Sequence, residues 1–440
     1  MTEALSDSAR PMGAPGGAAP SPSYVMGILL IAFLARTFVF LVAAGHPDRV
    51  LTDDAPQYVA LAGNLRAAYF DASSPDFTRG LFRTPGYPAF LAGPLRVSGG
   101  SLDFVIGLQV IIGTLCVGLT LMLAKKLLGP GASIAAGLLL AVDPASILYS
   151  CFVQPDTLFT ALTMAGALIW VASIEGAVLW AAAISGLVLG LAALTRPIGV
   201  FLPLVLPLVL MARPGASRRL SLAGCFLAGA FIPIGGWMAK NQVLTGSPVF
   251  TILGDSALLH YRAAGALAED ERIPIEEARD RVWKRFWSNA SPGASLVELS
   301  IEQRRLAFRI LGEHKWGAVK MMGRAAVRIA AGTGLTALSR LRGETNADPT
   351  SSTPRRVIEG LQLLLMLIAY AAIARGVMLL WGQRRFFEVA LLLGGAAYFV
   401  VMSAGPEGNT RFRLPAAPFL AILAGYGLSR GRFRNSAVHE

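Results

Sequence analysis

Two carboxylates, Asp53 and Asp54, stand side by side in the stretch LTDDAPQYVALAGNLRAAYF, just beyond a long apolar run. A carboxylate can accept the proton of a hydroxyl and so turn a poor nucleophile into a good one. The effect is typically worth about 10²–10⁴ in rate. Isolated cations stand elsewhere, beside prolines or at the ends of apolar runs. They are Arg83 in RTPGYP, Arg196 in LTRP, Lys240 next to Asn241 in AKNQ, and Arg411 and Arg413 in TRFRLP. Arginine suits phosphate, because its planar fork can contact two oxygens at once. An acid and several cations around one cleft could activate an acceptor hydroxyl and stabilise a departing phosphate. Each residue also has a plainer reading. One aspartate can cap the helix predicted over Ala55–Ala68, with Pro56 in its first turn. Each lone cation can anchor at headgroup level. A cap needs one carboxylate, however, and two uncompensated charges beside a membrane span are costly.

Other chemistry finds little support. The three cysteines, Cys116, Cys151 and Cys225, are far apart in apolar surroundings and read as packing residues. The four histidines show no HxxxH or HExxH spacing, so no metal site is expected from local sequence.

The elements that must position these residues follow from composition. Of 440 residues, 54% are apolar and 15% charged, with a mean hydropathy of +0.56. A soluble fold of this size cannot hide so much apolar surface. Disorder, a disulfide scaffold and an ordinary cytosolic enzyme are excluded, and an all-α polytopic membrane protein is expected. Runs long enough to span begin at Tyr24–Ala44 and continue at Phe104–Leu128, Ala132–Tyr149, Asp156–Ser173, Val178–Leu194 and Ile198–Met211. Leu220–Ala239, Val357–Trp381, Phe387–Ser403 and Leu414–Leu428 complete the set, about ten in all. Pro203 and Pro207 interrupt the sixth, which a membrane helix tolerates when neighbours satisfy its backbone. The net charge is +12. With the amino terminus in the cytoplasm, Lys125–Lys126, Arg213–Arg219, Arg384–Arg385 and Arg430–Arg434 all fall inside, as the positive-inside rule requires. Both termini are then cytoplasmic, and the candidate acid and cations share the outer side.

Four regions are expected on this scheme. Residues 1–23 form a disordered cytoplasmic tail. Residues 24–240 form a catalytic module of seven spans with an outer loop at 46–101. Residues 241–356 form an outer-face interfacial region, and 357–440 hold the last spans and a cytoplasmic tail. In the first loop Tyr58, Leu61, Ala62 and Leu65 share one helical face. Pro85, Gly86 and Pro88 predict a turn with Tyr87 inside it. Arg411 and Arg413, two apart, predict an extended segment. In the fourth outer loop, Ala268–Trp287 reads as a solvated charged helix. Gly312–Ala337 reads as an amphipathic helix on the membrane, and Thr350–Pro354 as linker.

The acidic pair, RTPGYPAFLAG, YSCFVQPDTLFTAL, LTRPIGVFLPL, AKNQVLTGSPVF and RFRLPAAPFLAILAGYG occur in that order. This series resembles the family 39-type glycosyltransferases of the membrane-embedded superfamily. That group includes the dolichyl-phosphate-mannose–protein mannosyltransferases and the bacterial lipid A aminoarabinose transferases. Single motifs are short, but their collinear order from about Tyr24 to Leu428 is specific. The resemblance implies inverting transfer of a sugar from a polyprenyl phosphate to an acceptor hydroxyl. It places the catalytic aspartate at Asp54, with Tyr58 at the expected spacing and Arg83 near the lipid phosphate. Ala55 stands where a second acid often follows, and Asp53 precedes instead, so both aspartates stay candidates. Asp156 occupies a position often filled by Glu, and the Arg413 region matches the basic-Pro approach to the last helix. The implied partners are a polyprenyl-phosphate sugar donor, a glycan, lipid or protein acceptor, and membrane lipids, with no nucleic acid. No cofactor is certain; a divalent metal stays open, because superfamily members differ. The expected location is a bacterial inner membrane with the site on the periplasmic face. A transporter or lipid flippase is the competing reading, but the spans are almost free of charge apart from Arg36, and no half-repeat is visible.

Overall fold

A computed structural model describes residues 22–213, 218–343 and 353–429, with backbone alone over 353–356. The expected tail before Pro22, residues 214–217 of the Arg213–Arg219 loop, the linker over 344–352 and the Arg430–Arg434 cluster lie outside the described residues.

Among the described residues every regular element is helical and none is a strand. Among the described residues five helices are long and apolar enough to cross a membrane: Pro22–Ala43, Leu102–Leu128, Asp156–Gly176, Arg219–Thr245 and Val357–Gly382. Five shorter apolar segments lie between and after them: Pro130–Ala141, Leu179–Thr195, Pro197–Ala212, Phe386–Met402 and Ala417–Ser429. In chain order these segments, first to tenth, occupy the places of the ten runs read from sequence. A helix satisfies its own backbone polar groups, which is what a bilayer demands. Small residues let the helices approach. Gly186 and Gly190 of the fifth segment lie against the backbone of Phe226 and Ala230 in the seventh, and Gly229 against Ala183. A Cβ at any of these glycines would overlap the neighbouring backbone.

Several boundaries differ from expectation, each for a local reason. The third run is not one helix. It stops at Ala141, and Asp143 accepts a bond from the Ser146 backbone N–H at 2.8 Å to start the short helix Pro144–Tyr149. The sixth breaks into two 3₁₀ turns around one α-turn, where Pro203 and Pro207 deny it donors. The seventh does not end at Ala239. It runs through Lys240 and Asn241 to Thr245, where Gly246 takes a left-handed conformation (φ 74°). Thr353 and Pro354, read as linker, begin the helix of the eighth segment.

The first loop folds into Pro47–Val50, Ala55–Gly63, Leu65–Phe70, Pro75–Phe82 and Gly86–Val97. The single helix expected over Ala55–Ala68 is broken at Asn64, whose side chain caps the second piece by accepting from the Ala67 N–H at 3.1 Å. Tyr87 lies in the first turn of a helix rather than in a loop, because Pro88 loses only an N–H that the first turn leaves unpaired anyway. The region after the seventh segment has its own small core around Val282, Phe286 and Ile310. Its expected helix over Ala268–Trp287 is divided into Ala264–Glu271 and Ile275–Trp287 by Arg272 (φ 59°) and Pro274. The amphipathic stretch is helical over Lys315–Ala331 and resumes at Leu335–Leu341.

Candidate active site

Asp54 and Asp156, 102 positions apart in sequence, meet through one guanidinium. Arg411 Nε donates to Asp156 Oδ2 at 2.9 Å and its Nη1 to Asp54 Oδ2 at 3.4 Å. Arg83 Nη2 donates to Asp54 Oδ1 at 2.7 Å, and Arg196 closes the other end of the line on Asp156 Oδ1. The order is Arg83, Asp54, Arg411, Asp156, Arg196.

Local structure sets each side chain. Asp54 stands at the N-cap of Ala55–Gly63, yet its side chain makes no capping bond; both its oxygens go to arginines. The plain capping role is thereby removed for this residue. Arg83 is the extended residue that ends Pro75–Phe82, and RTPGYP then starts the next helix. Gly86 is required there. A Cβ would sit 2.6–2.7 Å from the Leu194 carbonyl and the Thr195 nitrogen, so glycine lets this helix start press on the end of the fifth segment. Arg196 is the next residue after that end. It is extended (φ −138°, ψ 122°), as the residue before Pro197 must tend to be. Phe159 and Phe412 stack on its guanidinium at 5.8 and 5.6 Å. Arg411 lies in a 3₁₀ turn, Thr410–Arg413, not in the extended segment expected, because Asn409 Oδ1 accepts from its backbone N–H at 3.0 Å and folds the turn. The two arginines still diverge: Arg413 donates to the Ala330 carbonyl at 2.8 Å and lies 3.9 Å from Asp143.

The tyrosines form the floor. Arg83 lies 5.1 Å from the centre of the Tyr58 ring and donates to its hydroxyl at 3.4 Å. Tyr58 meets buried Tyr87 edge-on at 5.1 Å. The Tyr87 hydroxyl donates to Gln109 Oε1 at 2.7 Å, and Gln109 Nε2 donates to the carbonyls of Ser150 (3.2 Å) and Phe152 (2.6 Å). Gln109 thus ties the tyrosine floor to the chain that leads into Asp156. It had no place in the sequence reading, although a lone Gln in LQVIIG must find partners when buried. Gln57, which accepts from Arg83 Nε at 3.0 Å, carried no sequence signal at all.

Other candidates stand apart. The Asp53 side chain is 97% exposed and faces Arg340 at 3.5 Å, whereas that of Asp54 is 36% exposed. Lys240 donates to the Tyr69 carbonyl at 3.0 Å and lies 3.7 Å over Trp237, and Asn241 donates to the Val249 carbonyl at 2.7 Å. Arg36 is fully buried and donates to Ser146 Oγ at 2.8 Å. Among the described residues no group of three or more His, Cys, Asp or Glu side chains comes together.

The electrostatics follow from this line. Burial works against ionisation of Asp54, but Arg83 and then Arg411 outweigh it and hold its carboxyl below the ordinary value. Burial also works against the charge of Arg411, yet the surrounding acids prevail and its guanidinium is held above its ordinary value. Burial pushes the Tyr58 phenol up, so it stays protonated. Three cations against two carboxylates leave one unbalanced positive charge. Such a site can hold one anionic group next to a carboxylate.

Residues 83–236, about a third of the chain, match the family described as "Dolichyl-phosphate-mannose-protein mannosyltransferase". No curated protein shows a significant match in sequence. Two solved structures share the architecture. The archaeal oligosaccharyltransferase AglB from Archaeoglobus fulgidus, in complex with an inhibitory peptide and a dolichol-phosphate, is 15% identical with a TM-score of 0.53, covering 92% of this chain and 50% of that one. The Archaeoglobus fulgidus oligosaccharyltransferase in the apo form is 16% identical with a TM-score of 0.55, covering 93% and 50%. The chain therefore spans about half the length of these enzymes. It is an integral membrane protein with the fold of the membrane-embedded glycosyltransferases, and the family resemblance carried by its motifs is borne out over residues 83–236.

Proposed function

We propose that the chain transfers a sugar from a polyprenyl phosphate to an acceptor hydroxyl, with inversion at the anomeric carbon. The observation that carries this is the line Arg83–Asp54–Arg411–Asp156–Arg196 with its single unbalanced positive charge. A sugar–phosphate–lipid is a phosphodiester with one negative charge, which brings the sum to zero. The archaeal enzyme of the same fold was solved with a dolichol-phosphate, which supports a lipid phosphate as the anion. Arg83 and Arg411 cannot serve phosphate and carboxylate fully at once. As the phosphate draws them, Asp54 loses the charges that depress its basicity and becomes a better proton acceptor. The acceptor hydroxyl then gives its proton to Asp54 while its oxygen bonds to the anomeric carbon. The bond from that carbon to the phosphate oxygen breaks, and its electron pair stays on the phosphate. Arginines already in place stabilise the second charge that develops there. Losing one such contact typically costs about 2.7–4 kcal/mol. Arg196 and Asp156 orient Arg411 from behind.

The site lies on the outer, periplasmic face in this reading, with both termini cytoplasmic in a bacterial inner membrane. The support is that Lys126, Arg213 and Arg385 gather at the opposite ends of the helices, near Glu175, Phe387 and Leu127 respectively. To test the reaction, Asp54→Asn and Asp53→Asn are assayed separately for sugar transfer from a polyprenyl-phosphate donor. The first should lose about 10²–10⁴ in rate and the second should keep it. Wild-type transfer by folded Asp54→Asn sinks the assignment.

A further inference from the structure

The helix Ile275–Trp287 belongs to water. Arg281 pairs with Glu271 and Glu277 at 2.8 and 2.6 Å, Lys284 with Asp280 at 2.6 Å and Arg285 with Glu313 at 3.0 Å, all on exposed side chains. Two tryptophans on the same helix are nevertheless open: Trp283 is 38% and Trp287 52% exposed. A belt at the lipid interface would account for exposed tryptophan, but a helix ringed with ion pairs does not lie in lipid. Phe286, between them, is buried in the core of this region, so the pair is not a disordered remnant of that core.

The tryptophans are one end of a track. Their rings meet at 5.7 Å, and His260 meets Trp283 at 6.1 Å and Tyr261 at 5.1 Å. Arg279, one turn before Trp283, lies 5.1 Å over the Tyr261 ring. His260, Tyr261 and Arg262 sit in a π-helical turn, Leu258–Ala263, which shifts them out of α-helical register; such turns recur at functional sites. From this turn Arg262 reaches the Met402 carbonyl. Arg328 donates to the carbonyls of Gly405 (3.2 Å) and Gly408 (3.4 Å). Glu407 lies between those two glycines, and Arg411 follows four positions later. The track therefore runs from exposed aromatic rings, past arginines, to the loop that carries Arg411.

We infer that this track is a docking surface for a carbohydrate acceptor, whose sugar rings lie on Trp283 and Trp287 while hydroxyls meet Arg279 and His260. The proposal rests on the transferase reading. A sugar ring offers an apolar C–H face and a polar rim, which is the pattern of flat rings edged by charges found here. A peptide strand would need a sheet edge, and the described residues contain no strand. An apolar recognition helix would need a dry groove, whereas ion pairs border these rings. A lipid acceptor would present a long apolar chain, which rings bordered by ion pairs do not match.

The test uses the full-length protein in nanodiscs and titrates neutral and acidic hexasaccharides while following tryptophan fluorescence and calorimetry. Saturable binding should appear with at least one of them. It should weaken at least tenfold in Trp287→Ala and in Trp283→Ala, stay nearly intact in Trp287→Tyr, and persist in Asp54→Asn. Hydrolysis of the lipid-linked donor by water should be unchanged in the tryptophan variants. Loss of that hydrolysis in Asp54→Asn alone tests the transferase reading separately. The inference is overturned if no hexasaccharide binds, or if binding ignores both tryptophans. It is equally overturned if a Ser/Thr-rich peptide or anionic vesicles bind through the tryptophans instead.

Discussion

At Asp54 two guanidiniums outweigh the cost of burying a carboxylate, and the pH dependence of transfer follows from that balance. The group must be ionised to act as a base. Its lowered value puts the acid limb of kcat/KM below the ordinary carboxylate range, so transfer should hold well into mild acid. Arg411→Gln removes one cation, so the limb should move to higher pH and the rate should fall; a pH–rate profile of the pure variant checks both. The sign for stability agrees. A depressed carboxylate contributes to folding above its unfolded value and loses that contribution as pH falls through its folded one. That Asp54 and not Asp53 faces the arginines was beyond the sequence. Adjacent residues point in different directions, and only the packing of the first loop against Arg340 and Arg411 separates them. The candidate cations were all visible as lone charges beside prolines or at the ends of apolar runs. Which of them share the site was not, since Arg413 and Lys240 satisfy themselves on backbone carbonyls nearby.

The elements that carry the site are held by close packing and by buried polar bonds, and both can be perturbed without touching a charge. Gly86→Val would drive a side chain into the Leu194 carbonyl. It should cost about 1–3 kcal/mol in stability and separate Arg83 from Arg196. Thermal unfolding in detergent, with transfer rates on the folded fraction, measures the two effects. Gln109→Leu leaves the Tyr87 hydroxyl and two carbonyls without their partner. The expected loss is about 1–3 kcal/mol, with kcat falling more than KM rises if the floor positions reacting groups. Gln109→Glu keeps the acceptor for Tyr87 but not the donor for the carbonyls, and should fall between. At this scale the apolar runs were legible because a bilayer imposes length and composition. The breaks at Val142, Asn64 and Arg272 were not, because capping bonds and left-handed residues depend on only a few side chains.

For the whole molecule, topology is the claim most open to direct measurement. A cysteine placed at exposed Asp53 should react with an impermeant maleimide added to intact spheroplasts, and one at Lys126 only after lysis. The native Cys116 and Cys151 are buried and should stay silent, with Cys225 replaced by serine in both variants. Reversed labelling would place the site on the inner face. The sequence alone settled the solvent and the class. Too few charges for its apolar content require a membrane, apolar runs about 20 residues long require helices, and lone basic residues in ordered motifs point to a phosphate. Those properties are additive along the chain, so they can be read without a fold. What only the tertiary structure decided is the partnership of charges. Arg83, Asp54, Arg411, Asp156 and Arg196 come from five separate stretches of chain, and their pairing depends on distances of a few ångströms. A one-dimensional sequence does not encode such distances locally. They arise where helix ends, fixed by glycine contacts and prolines, converge at one end of the bundle.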